Sequence, residues 1–371
     1  MWQAEIRVDL EAIRHNVRLL RAAAPGAELM AVVKADGYGH GMVPVARAAV
    51  QAGASALGVC TLGEALELRR AGITAPVLAW LLPPGLPLAD AVTADVDLSA
   101  ASRPQLDELV AAGVRAGRPV RTHLKVDTGL ARGGATVRDW PALAEAAGKA
   151  QADGTLEVVG VWSHLVYGDA PRHPVTDQQL AAFREALTVA ERFGISPAYR
   201  HIANSAPTLT RPDTHFDLVR PGISIYGLSP VAGESFGLRP AMTVRARVML
   251  TKRVPAGQGV SYGHTYRTAT ETTLAVVPLG YGDGVPRAAS NAGPVRLAGR
   301  TRTIAGRVCM DQLVLDCGDD PVSSGDVAVL FGPGEDGGPT ADDWADVVGT
   351  INYEIVTRIG SPRVPKVYDH E

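Results

Sequence analysis

The sequence predicts an α/β protein in two parts, an N-terminal TIM-like (β/α)8 barrel and a mainly antiparallel β C-terminal domain. Three observations lead there. Short apolar runs alternate with amphipathic helical patterns through the first two-thirds of the 371 residues. Eight such runs can be counted, and all but the last are followed by a helical or turn segment. After about Gly227 the alternation stops, and β-rich runs follow, separated by turns of Gly, Pro and Asp. A doubly wound open sheet fits the same alternation, because strand pairing cannot be read from one sequence.

The elements follow in order. Asp9 is placed to cap a helix carrying Leu10, Ile13, Val17 and Leu20 at helical spacing. The eight strand candidates lie at or near Val32-Val33, Leu57–Cys60, Val77–Trp80, Ala94–Leu98, Thr122–Val126, Val158–His164, Tyr199–Ala203 and Phe216–Val219. The clearest helices between them are Thr61–Arg70, Gln105–Arg115, Trp140–Ala150 and Asp177–Phe193. Leu228–Pro240 is rich in Gly, Pro and Ser and reads as a linker. Residues 1–235 are therefore expected to form the barrel and 236–371 the second domain, with the first few residues packing against the second domain. Its strands are expected at Thr243–Leu250, Thr273–Leu279, Val295–Leu297, Thr303–Val308, Leu313–Asp316 and Val327–Phe331. Helices over Thr340–Val348 and Ile351–Ile359 close the chain.

Composition narrows the function. A hydrophobic content of 46% with 20% charged residues is ordinary for a soluble globular protein. A net charge of −3 and a pI near 6.3 argue against a nucleic-acid or anionic-membrane surface. No apolar run is long enough to span a bilayer, and the start has no basic head followed by an apolar stretch. Cys60, Cys309 and Cys317 are too widely spaced for a disulfide framework, and zinc-ligand spacing is absent. A reducing cytoplasm is the simple expectation.

Chemistry gathers at the ends of the strand candidates, where a parallel barrel places its site. Only Lys34, Lys125, Lys149, Lys252 and Lys366 are lysines. Lys34 stands where a buried strand opens into a glycine-rich turn. A desolvated lysine can lose its proton and act as a base or Schiff-base nucleophile, and a strand-end lysine can also snorkel to solvent. Lys125 is late in the fifth run. His164 ends the sixth, Asn204 and Ser205 follow the seventh, and Arg220 and Gly222 follow the eighth.

Singly these residues have plain readings: a hydrogen-bonded His, an Asn-Ser helix cap, an Arg-Pro-Gly turn. Together they suggest one mouth. Ser205 with the N–H groups of Gly222 and Ile223 could hold a phosphate, and His164 could stack on a flat ring. A phosphate, a flat ring and a Schiff-base lysine suggest pyridoxal phosphate. Cys309 reads as a small apolar wall residue in preference to a nucleophile.

With these residues in view the chain resembles the alanine racemases, barrel-type pyridoxal-phosphate enzymes. The resemblance runs through Val33–Gly41, Lys125–Gly133, His201–Ser205 and Val219–Gly227. It continues through Val260–Gly263, Gly280–Gly284, Gly306–Gln312 and Thr350–Glu354. Asp36 stands where the family often has Asn. The resemblance implies the roles. Lys34 would carry the cofactor and act as base for one hand of the amino acid, with Tyr262 as base for the other. Tyr38, Ser205, Gly222, Ile223 and Tyr353 would hold the phosphate, beside Asn204. Arg220 would face the pyridine nitrogen, supported by His201, and Arg132 the phenolic oxygen, with Lys125 behind it and carbamylated in some relatives. Met310 would bind the substrate carboxylate through its N–H, and Asp311 and Tyr281 would shape the substrate entrance. The family also implies a homodimer with shared active sites and D-alanine destined for peptidoglycan.

Two choices carry mechanistic meaning. Racemisation is simplest with bases on both sides of Cα, which Lys34 and Tyr262 could supply. An arginine at position 220 cannot accept a proton, so it would leave the pyridine nitrogen largely unprotonated and restrain side reactions such as transamination. Other readings are a racemase of serine or of a broader set, a decarboxylase of the same plan, and a non-catalytic pyridoxal-phosphate carrier. The last would need only the first domain.

Overall fold

The structure is a computed structural model that describes residues 2–170 and 172–370. The chain folds into two compact units: Ile13–Gly37 with Val45–Leu238, and Met1–Ala12 with Tyr38–Pro44 and Arg239–Glu371.

The larger unit is the barrel. Its eight parallel strands, in chain order, are Glu28–Val32, Ala56–Val59, Val77–Ala79, Asp97–Ala100, Val120–Lys125, Leu156–Trp162, Tyr199–His201 and Leu218–Val219. The first seven pair in succession, and the eighth returns to the first through Glu28 opposite Leu218. The seam between the seventh and eighth is bonded at its two ends, by Asp217 N–H to Arg200 O at 3.2 Å and Arg220 N–H to Ala203 O at 3.0 Å. The eight-strand barrel expectation holds, and the open sheet does not.

Helix boundaries follow local chemistry. Thr61 and Glu64 form a capping box ahead of Leu62–Arg70, and Ser102 caps Arg103–Ala116, which stops at Gly117 with φ 67°. The barrel interior is apolar where Met30, Ala56, Leu78 and Leu218 pack with Trp80 and Tyr199. Elsewhere it holds the buried polar residues Asp97, Ser99, His123 and His201.

The smaller unit is built on a six-stranded sheet, antiparallel except for one pair. Strand Ala4–Asp9 lies inside it, antiparallel to Met242–Arg247 and parallel to Lys366–Asp369. Asp9 then caps the helix Leu10–Ala23, its Oδ1 accepting from Glu11 N–H at 2.9 Å and Ala12 N–H at 3.2 Å.

Two strand expectations are corrected. Thr243–Leu250 is not one strand: Met242–Arg247 belongs to the six-stranded sheet, and Leu250–Val254 to a three-stranded one. The chain changes sheets at Val248 and Met249, whose N–H groups bond to Asp326 O and Val276 O. Thr303–Val308 is also not a strand. The strand is Arg300–Thr303, a hairpin partner of Pro294–Leu297 across Ala298 (φ 52°) and Gly299 (φ 77°). Two positive φ values in a two-residue loop suit the strand twist, and an alanine in the first position hid the turn. Among the described residues no helix is long and apolar enough to cross a membrane.

Candidate active site

The barrel mouth is assembled from strand ends. The first strand stops at Val32, and Lys34 enters a turn with left-handed backbone at Ala35 (φ 53°), Asp36 (φ 51°) and Gly37 (φ 60°). Three non-glycine residues held there, Ala35, Asp36 and Tyr38 (φ 50°), cost roughly 1–2 kcal/mol each, and Asp or Asn tolerates that conformation better than most. The turn is pinned by Gly37 N–H to Val33 O at 2.9 Å and by Ala35 N–H to the Glu64 carboxylate at 2.7 Å. The same carboxylate accepts from Cys60 and Thr61 N–H, so Glu64 ties the Lys34 turn to the end of the second strand.

After the fifth strand, Asp127 Oδ1 accepts from the N–H groups of Gly129, Leu130 and Ala131, folding the loop that carries Arg132. Lys125 Nζ lies 4.3 Å from the Trp162 ring, and Arg220 Cζ lies 4.9 Å from it. Burial first, then the charges of Arg220 and Arg132, lowers the Lys125 pKa to about 8. Arg220 is buried; its guanidinium donates to His201 Nδ1 at 2.9 Å and Ser163 O at 2.8 Å. Burial lowers its pKa to about 9, which leaves it cationic at neutral pH.

His164 reports the clustering. Burial, then the positive charges of Arg220, Arg132, Lys125 and Lys34, holds its imidazole well below the ordinary histidine value and therefore neutral. Charges from three strand ends thus act on one half-buried ring, and Arg220 comes within 3.5 Å of its Nδ1. A group carrying negative charge would relieve their mutual repulsion.

At the expected phosphate site two backbone N–H groups, including that of Gly222, are taken by Ser205. Ser205 Oγ accepts from Gly222 N–H at 2.9 Å and Ser224 N–H at 3.4 Å. Ile223 N–H takes no backbone acceptor among the described residues. Buried Ser224 Oγ and Asn204 Oδ1 have no hydrogen-bond partner among them either. The Ile223 N–H and the Ser224 hydroxyl can donate to an anionic ligand, whereas the Asn204 oxygen can only accept. Asn204 occupies the cap position of the helix Ser205–Thr210, but its side chain makes no cap hydrogen bond, which corrects that expectation.

In the smaller unit Tyr38 and Tyr353 lie with ring centroids 6.3 Å apart. A second group forms around the loops at 261–264, 280–284 and 307–312. Tyr281 N–H bonds to Cys309 O and Gly282 N–H to Met310 O. Ser261 Oγ donates to Arg307 O at 2.6 Å and contacts Cys309 Sγ at 3.3 Å. Arg363 bridges Asp311 and Asp283. Tyr262, Met310 and Tyr281 are 71%, 55% and 42% exposed. Met310 N–H has no backbone acceptor among the described residues.

Comparison with known proteins decides the family. The model "Alanine racemase, N-terminal domain" matches residues 8–230, and "Alanine racemase, C-terminal domain" matches 241–368. The chain belongs to the alanine racemase family. Alanine racemase of Salinispora arenicola is 73% identical over the full length of both chains. That of Thermobifida fusca is 60% identical over 98% of each. Among solved structures, alanine racemase from a D-cycloserine-producing Streptomyces lavendulae superposes with a TM-score of 0.98 at 54% identity, covering 100% of this chain and 98% of that one.

Three residues of this racemase-family barrel escaped the sequence reading. Trp162 lies against both Lys125 and Arg220 and stacks on His201, with centroids 5.7 Å apart and planes 5° from parallel. Ser224 joins the Ser205 cradle through its N–H. Gln179 clamps the Thr128 loop and the His164 carbonyl. Trp162 was visible as an aromatic beside Ser163-His164. The other two carry no signal in sequence.

Proposed function

We propose that this protein interconverts L-alanine and D-alanine with pyridoxal 5'-phosphate held on Lys34, using Lys34 and Tyr262 as bases on opposite faces of the substrate Cα. The observation that carries this reading is the cluster at the barrel mouth: an Arg220 nitrogen 3.5 Å from His164 Nδ1, Lys125 and Arg220 both against the Trp162 ring, and the Ser205–Gly222 contact two residues beyond Arg220.

Bound pyridoxal phosphate supplies an aldehyde for an amine and a ring that draws electrons from Cα. The chain's own residues do the rest. Ser205, Gly222 and Ile223, with Asn204, Tyr38 and Tyr353, hold the phosphate. Arg220, braced by His201, faces the pyridine nitrogen, where it can donate a hydrogen bond but accept no proton. Arg132, backed by Lys125, faces the phenolic oxygen. Met310 N–H receives the substrate carboxylate, and Tyr281 and Asp311 line the entrance. Lys34 Nζ takes or returns the Cα proton on one face, and Tyr262 Oη does so on the other.

Residues 1–235 carry the cofactor and 236–371 supply Tyr262. A catalytic phenol 71% exposed to water is poorly placed to guard a proton. A homodimer supplies the cover, with each Lys34 working opposite Tyr262 of the partner subunit. The D-alanine serves peptidoglycan synthesis in the cytoplasm.

Purified protein should be yellow, convert L-alanine to the D form, and after borohydride carry its label on the Lys34 peptide. Lys34→Ala should lower turnover by at least about 1,000-fold, within the range for one acid–base group. Label on another residue sinks the assignment. Mixing Lys34→Ala with Tyr262→Phe protein should restore part of the activity through heterodimers, and no recovery rules out shared sites.

A further inference from the structure

A line of four buried side chains crosses the barrel interior beneath the mouth. Arg220 donates to His201 Nδ1 at 2.9 Å. His201 Nε2 lies 2.8 Å from His123 Nδ1. His123 Nε2 lies 3.4 Å from Asp97 Oδ2, and Asp97 is held in turn by Arg121 Nε at 2.7 Å. His201, His123, Arg220 and Asp97 are 0%, 1%, 4% and 5% exposed. The last joint is the loosest: it has ion-pair length but poor hydrogen-bond alignment, and His123 Nε2 has no better acceptor.

Hydrogen-bond parity fixes every proton in this line. A guanidinium only donates, so His201 Nδ1 accepts. Burial first, then the charge of Arg220, keeps His201 neutral, so its one proton sits on Nε2. That proton points at His123 Nδ1, which must accept. His123 therefore carries its proton on Nε2, facing the Asp97 carboxylate. The line runs one way, from a cation through two neutral rings to an anion.

The fold makes room for it. A Cβ on Gly160 would lie 2.2 Å from His123 Nδ1, so no larger residue fits in the neighbouring strand. The fifth and sixth strands slip register between Thr122 and His123, and such irregularities re-aim a side chain. Tyr199 stacks on His123 and Trp162 on His201, fixing both ring planes. Arg220 has no carboxylate within ion-pair distance among the described residues, so Asp97 is its counter-ion at the far end of two polarised rings.

We propose that Asp97 and His123 are positioning residues for Arg220: they lock the His201 tautomer, so Nη1 stays bonded to His201 while Nη2 is held by Ser163 O, and the rest of the guanidinium is left to face the cofactor nitrogen. This rests on the racemase reading for what Arg220 faces, but not for the protonation pattern.

The test is solid-state NMR of 15N-histidine-labelled holoenzyme, with His123→Gln and His201→Gln to assign signals. His123 and His201 should each show a pyridine-like Nδ1 and a pyrrole-like Nε2. A doubly protonated ring, or a proton on either Nδ1, overturns the proposal. Kinetically, His123→Phe should lower kcat about 10-fold, the lower end for losing an outer partner of a site group, with KM within about 2-fold. It should also raise transamination relative to racemisation. His123→Gln, whose amide can both accept and donate, should recover most of the loss. Parent kcat and parent partition in His123→Phe overturn the proposal even if the tautomers agree. An inactive protein with the stated tautomers contradicts the racemase reading and leaves the proton pattern standing.

Discussion

Gly280→Ala is a sharp probe of the substrate-entrance loops. Gly280 has φ −147°, a conformation open to any residue, so backbone strain is not the issue. A Cβ there would lie 2.3 Å from both Cys309 O and Met310 O and 2.5 Å from Met310 C. Those are backbone atoms and cannot swing aside. Even reaching 3.0 Å, a separation that real Cβ atoms essentially never undercut, demands a retreat of about 0.7 Å. The retreat opens the bonds from Tyr281 N–H to Cys309 O at 3.0 Å and from Gly282 N–H to Met310 O at 2.9 Å. Overpacking of this kind costs about 1–3 kcal/mol. Met310 N–H, assigned to the substrate carboxylate, moves with its loop, and a misplacement near 1 Å costs roughly 100-fold. The assay is racemisation of both enantiomers, coupled to a D-amino-acid oxidase in one direction, with the cofactor absorbance recorded alongside. The expected result is kcat/KM lowered about 100-fold while the absorbance, set on the barrel, is unchanged. Parent kinetics with parent thermal stability would refute the reasoning about these loops.

Two further outcomes follow from the buried charges. Arg220→Glu places at the ring nitrogen a group able to hold a proton there, so transamination should rise relative to racemisation, read as pyruvate formed per racemisation event; an unchanged ratio contradicts the role given to Arg220. Burial pushes the Asp97 carboxyl up, but His123 and Arg121 outweigh it and hold the group below its ordinary value. A depressed folded-state pKa gives stability that is complete above the unfolded value near 4 and is lost as pH falls through the folded value. Asp97→Asn should therefore be less stable by about 1.5–3 kcal/mol at pH 7, with the gap closing below about pH 4 in denaturant melts; a gap that persists at low pH contradicts the sign.

The barrel was legible because buried parallel strands leave uninterrupted apolar runs such as Ala31-Val32-Val33, bounded by turns. Lys34 stood out because a chain poor in lysine placed one at such a boundary. The smaller unit was harder to read. Strand Ala4–Asp9 pairs with residues some 240 and 360 positions away, and nothing local marks that. The break at Val248–Met249 is apolar and looks like continued strand. Arg220 was visible as a polar residue after a strand, and His201 only through the family resemblance. Asp97 and His123 sit within strands, and their link spans four barrel strands, so it exists only once the barrel closes.

That Lys34 and Tyr262 act from opposite faces of one carbon is tested most directly by deuterium exchange. Tyr262→Phe protein is incubated in D2O with L-alanine and, separately, with D-alanine, and Cα–H loss is followed by proton NMR. With Lys34 as the one remaining base, a single enantiomer should exchange its Cα–H, and neither should racemise appreciably. Equal exchange of both enantiomers, or racemisation at the parent rate, would contradict the two-base assignment.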